Sequence, residues 1–345
     1  MSPTPTPKFR NPRAKYNFQG QSCSISGVGS YVPARILTNA DLEKLVDTTD
    51  EWITSRTGIK ERRLAAKDEF TSDLAAHAAL SAMRKAGVTA EQIDLIIVAT
   101  ITPDMPFPST ACLVQRKIGA HRAAGFDLEA ACSGFIYGLE IGQQFIMSRT
   151  YDTVLVIGAE KLSSIVDWKD RNTCVLFGDG AGAAVLQNRP NTHGLLTAVM
   201  GADGRKSDLL FMAGGGSRCP ATAESVAAGR HYLRMEGKET FKSAVQAMQT
   251  AAVEALRRCE LDISRIKCII PHQANRRIVD AVGERLGAKP EQLFTNLHKY
   301  GNTSAASVAI ALDEVVESGR VQRGDLILLV VFGAGLTWGA AVIEW

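Results

Sequence analysis

The feature that most constrains this 345-residue chain is that it repeats itself. Ser81 to Val98 reads SAMRKAGVTAEQIDLIIV, and Glu254 to Pro271 reads EALRRCELDISRIKCIIP. The two align without a gap, helical spacing on helical spacing and apolar run on apolar run. A second pair follows in the same order. Val175 to Leu186 reads VLFGDGAGAAVL and Val331 to Ile343 reads VFGAGLTWGAAVI, each read as strand, glycine turn, strand. Two unrelated βα units of similar composition explain one match more readily than two in order. The expected organisation is a tail over 1–20, a first α/β half over 21–190 and a second over 191–345.

Within each half, strands and helices alternate, which implies layered α/β architecture. The first half predicts strands at Cys23–Val28, Leu95–Thr100, Gly125–Glu129 and Thr153–Ile157, then the pair around Gly178. Its helices are Thr71–Ala86, Pro108–Ile118 and Cys132–Ser148. The second half predicts strands at Leu195–Met200, Ile266–Ile270, Gln292–Asn296, Leu326–Val331 and Ala340–Glu344, with helices at Thr240–Cys259, Arg276–Leu286 and Ser304–Ser318. Continuous apolar runs such as Leu95–Ala99 suit strands covered on both faces. The insertions Thr38–Thr71 and Gly201–Gly237 are expected to build a substrate entrance.

Composition excludes several classes. A net charge of +3 is too mild for nucleic acid to be the main partner, though a local basic patch for an acidic partner fits. The seven cysteines are odd in number and form no CxxC pair, which argues against a disulfide framework and a zinc site. The cytoplasm is the expected compartment. The first residues are rich in Pro, Thr and basic side chains and have no apolar h-region, so they read as a simple tail. The first acidic residue is Asp41, which leaves a short transit segment open. Leu326 to Ile343 is uncharged and long enough to span a membrane, but Gly333, Gly335 and Gly339 interrupt it. It reads as two buried strands, and no membrane partner is expected.

Three residues stand out chemically. Cys132 follows GFDLEAA and opens a run of helical spacing. A helix N-terminus offers a positive dipole end and free N–H groups, and both favour a thiolate. Alone, a free cysteine reads more readily as a small buried hydrophobe. His272 follows the apolar run Ile266–Ile270. Pro271 is read as stopping the ladder, so His272 should project at the strand's C-terminal end, where α/β sheets place ligands. Asn302, in KYGNTSAAS, sits in a turn before a helix and could be no more than a turn residue. The duplication sets its turn opposite that of Cys132.

The motifs DEWITSRTGI, AACSGF, FGDGAGAAVL, PHQAN, YGNTSAAS and FGAGLTWGAAVIEW occur in this order. Together they resemble β-ketoacyl-acyl carrier protein synthase III, of the thiolase superfamily, over Ser22 to Trp345. The resemblance implies a five-layer αβαβα thiolase-like fold, a homodimer and a Cys132–His272–Asn302 triad. It implies an initiating condensation of fatty acid synthesis. A short acyl group, acetyl by expectation, moves from coenzyme A to Cys132 and then joins malonyl-acyl carrier protein. Backbone N–H groups of Cys132 and Ala334 would form the oxyanion hole. The family often has glycine where Ala334 stands. No metal or redox cofactor is implied.

The same resemblance places Trp52 and Arg171 about the adenine, Arg56 near the phosphates and Asn275 on the phosphopantetheine arm. Carrier proteins are acidic, so a basic rim is expected for docking; Lys242, Arg276, Arg277 and Arg285 are its candidates, and Arg277 best matches the family. Phe107, in MPFPST, would close the acyl pocket across the dimer. By residue type alone these positions read equally as core aromatics and solvated charges. Specialised polyketide-type synthases and acyltransferases share the triad and stay open. A papain-like hydrolase shares the Cys, His, Asn order but lacks its local signature here. A partner subunit with a decayed site is disfavoured by all three residues being present.

Overall fold

The computed structural model describes residues 22–189 and 194–345. The tail over 1–20 and the division at 190/191 lie outside the described residues.

Two sheets carry the fold. In the first the order is Cys23–Tyr31, Gly180–Asn188, Thr153–Glu160, Leu95–Ala99, Ala124–Leu128. The last three run parallel and the first two antiparallel to their neighbours. The second runs Cys268–Pro271, Leu326–Gly333, Thr337–Glu344, Leu195–Ala202. Its first pair is parallel and the others antiparallel. An isolated parallel bridge from Ile269 to Leu293 stands where a fifth strand would lie. The order and sense therefore repeat from sheet to sheet.

The repeat extends to details. The 3₁₀ turns Ala90–Gln92 and Ile263–Arg265 precede the strands starting at Leu95 and Cys268 by the same spacing. Alternating strand residues serve two layers of side chains. Ile97, Val154, Val156, Ile327, Leu329 and Val331 face a central layer with Phe135, Leu139, Val308 and Leu312, from the helices Gly134–Met147 and Ala306–Glu317. Ile96, Val98, Leu155 and Ile157 face outward against Leu74, Ala78 and Val114. Leu328 and Val330 face outward against Met248, Ala252 and Val282. Helix, sheet, helices, sheet, helix is the five-layer thiolase-like arrangement. Each fully buried Leu or Ile in it contributes about 1.5–3 kcal/mol by leaving water.

The structure corrects four sequence expectations. Val175–Phe177 is not a strand. It follows the short helix Arg171–Cys174, and Phe177 makes only an isolated bridge, to Asn302. The strand beside Gly180–Asn188 is Thr153–Glu160, so the first half carries an insertion where the second has a tight turn. Gln292–Asn296 contributes a 3₁₀ turn and one bridge, no strand. Pro271 does not stop the ladder. It pairs with Val330, and the next N–H, of His272, donates to the Val330 carbonyl at 2.7 Å. In a parallel pair a proline removes one donor and leaves its neighbours' bonds intact.

The predicted insertions pack as a lobe of their own. The ribbon Arg35–Thr38 with Glu61–Leu64, the helix Asp50–Thr57 and the ribbon Leu210–Met212 with Leu233–Met235 gather over a fourth apolar cluster. Ile53, Ile59, Val175, Phe177, Val279 and Leu297 belong to it. No described helix is long and apolar enough to cross a membrane.

Candidate active site

Cys132 lies in the 3₁₀ turn Ala131–Ser133, one turn before the helix that starts at Gly134. Ala131 has a φ of 46°, a left-handed conformation costly for a side chain with a Cβ. The turn in the other half matches it: Ser304, beside Asn302, has a φ of 47°. Strain of this kind at both facing turns is the pattern expected where position matters more than stability.

The second-half hairpin closes on Cys132. A Cβ built on Gly333 would meet the Cys132 nitrogen at 2.7 Å and the Ser133 nitrogen at 3.1 Å, so only glycine lets the strands approach this closely. Thr337 Oγ1 donates towards the carbonyls of Ala130, at 2.9 Å, and Ala334, at 3.0 Å. It thereby staples the turn holding half-buried Ala334 to the turn holding Cys132. Sequence reading missed Thr337, whose only signal was its place in the FGAG hairpin.

His272 stands at the same end of this sheet, level with Val331 and two residues short of Gly333. It is buried, and Nδ1 has no partner among the described residues. Burial lowers its pKa to about 4, so the ring is neutral near pH 7. Asn302 is held through its backbone: its N–H donates to Leu176 O at 2.8 Å and its carbonyl accepts from Gly178 N at 3.0 Å. Its Oδ1 accepts from Ser304 N at 2.9 Å, which directs Nδ2 outward as the donor.

The thiol is not a resting thiolate, contrary to the sequence expectation. Burial pushes Cys132 up to about 12, opposed by the Ser304 hydroxyl and raised further by nearby Glu160. With the cysteine in the turn and enclosed on all sides, lost hydration outweighs the helix terminus. Ser133 Oγ and His272 Nδ1 are both buried without partners among the described residues. Such a concentration of unmet polar atoms marks a site awaiting a polar ligand.

Glu160 was also missed. It is buried at the end of its strand and accepts from Thr102 Oγ1 at 2.6 Å, Thr100 Oγ1 at 3.2 Å and Ile101 N at 3.2 Å. Burial raises its pKa from 4.5 to about 7, against those hydrogen bonds and Ser304. Between those values the folded chain keeps a proton that the unfolded chain has lost, so stability falls as pH rises through this window. Glu160→Gln removes this dependence. Relative to wild type it should gain up to about 3 kcal/mol between pH 4.5 and pH 8. Urea denaturation of both proteins at both pH values measures this, and the comparison cancels the opposite contribution of His272. An unchanged difference would mean that Glu160 is ionised in the native state.

Of the residues expected at the entrance, Trp52, Arg56 and Arg171 come together. Trp52 and Arg56 ride on the helix Asp50–Thr57. The Trp52 ring has the Arg56 guanidinium at 4.7 Å and that of Arg171 at 4.9 Å. A base between Trp52 and Arg171 needs two spacings of about 3.5 Å. The expected slot is therefore closed, with Arg171 itself on the ring. Arg171 is held by the Asp47 carbonyl at 2.8 Å and by its exposed carboxylate at 3.7 Å, a tie that costs little to break. Asn275 caps the helix Arg276–Leu286: Oδ1 accepts from Arg277 N at 2.9 Å, and Nδ2 donates to Arg56 O at 3.2 Å. Its amide thus has a structural task besides any contact with an arm. Arg276 pairs with Asp280 and Lys242 with Glu239, and all three cations of the expected basic face, Arg277 included, are exposed. Arg285 reaches Gln249 instead. Phe107 is 83% exposed on this chain, far from the role of a packed core ring.

Solved structures share this architecture. A 3-oxoacyl-[acyl-carrier-protein] synthase III from Aquifex aeolicus VF5 matches with a TM-score of 0.87 at 49% identity, covering 94% of this chain and all of its own. The priming β-ketosynthase of the R1128 polyketide pathway matches with a TM-score of 0.88 at 37% identity, covering 98% of each chain. Fold and site define a condensing enzyme of the thiolase fold, an acyltransferase. Residues 126–204 match the family model for 3-oxoacyl-[acyl-carrier-protein] synthase III, and 256–345 match that for its C-terminal part. The β-ketoacyl-[acyl-carrier-protein] synthase III of Caldanaerobacter subterraneus subsp. tengcongensis is 56% identical over 324 residues, 94% of this chain and 98% of that protein. This chain belongs to the β-ketoacyl-[acyl-carrier-protein] synthase III family.

Proposed function

We propose that the chain initiates fatty acid synthesis by condensing a short acyl group from coenzyme A with malonyl-acyl carrier protein, through an acyl-Cys132 intermediate. The supporting observation is the convergence of the Cys132 turn, the Gly333–Ala334 turn, His272 and Asn302 at one end of two facing sheets. Cys132 sulfur attacks the acyl thioester as its proton passes to the neutral ring of His272, and coenzyme A leaves as the thiol. The Cys132 and Ala334 N–H groups hold the oxyanion. Malonyl-carrier protein then loses carbon dioxide. His272 and Asn302 Nδ2 donate to the thioester oxygen as enolate charge develops there. The enolate carbon attacks the acyl-cysteine, the bond to sulfur breaks, the β-ketoacyl-carrier product leaves, and the Cys132 thiolate regains a proton from solvent. Every step uses side chains and backbone donors, without metal or redox cofactor.

Coenzyme A enters past Trp52, Arg56 and Arg171, with Arg171 swinging off the ring to admit the base. Asn275 lines the arm's path. A second copy of the chain covers exposed Phe107, whose ring limits acyl length and favours acetyl. The site is cytoplasmic. The structural likeness to a priming polyketide synthase keeps that pathway as the second reading. Acetyl-coenzyme A and longer or branched thioesters, each incubated with malonyl-carrier protein and read by mass, decide the matter. An acetoacetyl-carrier product formed fastest supports the reading, and no condensation with any primer refutes it.

Carrier docking is expected around Arg277, with Lys242 and Arg276 beside it. Exposed opposite charges are screened by salt, so binding should weaken with ionic strength. Arg277→Glu should weaken carrier binding about tenfold, the loss of one attraction and the gain of one repulsion. Its acylation by acetyl-coenzyme A should change much less, because coenzyme A brings no protein surface. Equal losses with both substrates would return Arg277 to an ordinary solvated helix face.

A further inference from the structure

Arg62 is buried completely, in the ribbon strand Glu61–Leu64 of the entrance lobe. Its hydrogen bonds go to neutral oxygens. Nη1 donates to Leu37 O at 3.2 Å and to Asn39 Oδ1 at 2.8 Å, Nη2 donates to Val175 O at 2.6 Å, and Nε has no partner among the described residues. Burying a guanidinium this way is expensive, and an apolar side chain of similar size fills such a space at less cost. The question is what the bonds hold.

They tie two segments to Arg62, residues 37–39 and the loop at Val175, and each bonds onward to an element of the site. Val175 closes the short helix that carries Arg171. The next carbonyl, of Leu176, accepts from Asn302 N, and Gly178 N donates to Asn302 O. On the other side, Asn39 Nδ2 donates at 2.7 Å to Asp50 Oδ1, on the first residue of the helix that carries Trp52 and Arg56. The loop is wrapped tightly on the arginine stem. A Cβ on Gly178 would meet Arg62 Cβ at 3.0 Å and Tyr300 O at 2.3 Å.

We propose that Arg62 is a positioning residue for the condensation: it anchors the Val175–Gly178 loop to the entrance lobe and so sets the place of the Asn302 amide. This rests on the reading of Asn302 as a donor to the enolate. Displacement of a catalytic group by about 1 Å from a distant change costs on the order of 10²-fold in rate. The half-reaction that uses Asn302 is therefore the one that depends on Arg62.

Arg62→Lys tests this, since an ammonium keeps the charge and the stem but lacks the planar fork that reaches Val175 and Asn39 together. Decarboxylation of malonyl-carrier protein should fall about 10–100-fold. Self-acylation of Cys132 by saturating acetyl-coenzyme A should fall far less. In an Asn302→Ala background, Arg62→Lys should add little further loss, because the group it positions is gone. Equal losses in both half-reactions, or losses that add in the double variant, overturn the proposal. A wild-type decarboxylation rate in Arg62→Lys, with Asn302→Ala defective, overturns the role of Arg62 alone. A wild-type rate in Asn302→Ala overturns the reading of Asn302 and this proposal with it. If Arg62→Lys does not fold, Asn39→Ala carries the same cycle. It removes one Arg62 acceptor and leaves the Val175 bond, so the same pattern is expected at smaller size, with self-acylation read at saturating acetyl-coenzyme A because Asn39 also holds Asp50.

Discussion

Cys132→Ser should lose condensation by at least about 10³-fold, roughly 4 kcal/mol of barrier. The hydroxyl of serine is a weaker acid than a thiol, and His272, the base proposed to take its proton, has a pKa lowered to about 4. The enclosure that pushes the Cys132 thiol up to about 12 would hold the hydroxyl still more firmly in its neutral form. Malonyl decarboxylation should survive in this variant, since its donors are untouched. In the wild-type protein, acetyl-coenzyme A followed by peptide mapping should place the acyl group on Cys132. Cys112 is the control: it is the exposed cysteine of the chain's described residues, and simple reactivity would label it first. Acylation elsewhere, or condensation by Cys132→Ser at the wild-type rate, would remove Cys132 from the mechanism.

His272→Ala and Asn302→Ala should each lower malonyl decarboxylation about 10²–10³-fold, the usual cost of one oxyanion donor. Self-acylation should suffer less in Asn302→Ala, because the backbone donors at Cys132 and Ala334 remain and His272 still takes the thiol proton; in His272→Ala it should fall as well. Asn302→Asp is the sharper variant. Its carboxylate can still accept from Ser304 N, as Oδ1 does at 2.9 Å, and so keeps the turn. It has no N–H to offer and brings negative charge towards a developing enolate. Decarboxylation by Asn302→Asp should therefore be no better than by Asn302→Ala, with melting temperature nearer wild type. Recovery of the rate in the aspartate variant would assign Asn302 to the turn alone.

Much of this site is legible in the sequence because its parts are local. Cys132 and His272 follow segments read as strands, and Asn302 sits in a glycine turn before a helix; period and punctuation reveal such places. The duplication was readable too, and its βα match holds down to the 3₁₀ turns before Leu95 and Cys268. The second matched pair misled in part. The strands Gly180–Asn188 and Thr337–Glu344 do correspond, but VLF and VVF do not share a structure. Short apolar segments take their conformation from their partners, and Val175–Phe177 is claimed by Arg62 and Asn302 before any sheet can use it.

What the sequence by itself determined is the set of elements and the chemistry they can present: alternating strands and helices, two similar halves, and a thiol, an imidazole and an amide at strand-to-helix turns. Spacing along the chain is enough for that, because helix and strand periods are local properties of the backbone. Only the tertiary structure decided how those groups behave. It enclosed Cys132 and His272, so that both rest neutral. It set Glu160 and Ser304 beside the thiol, laid Arg171 on Trp52 and ran Arg62 beneath Asn302. These depend on desolvation and on contacts between residues far apart in the chain. An ionisable group's state follows from the surroundings that folding brings to it, and no local pattern encodes those.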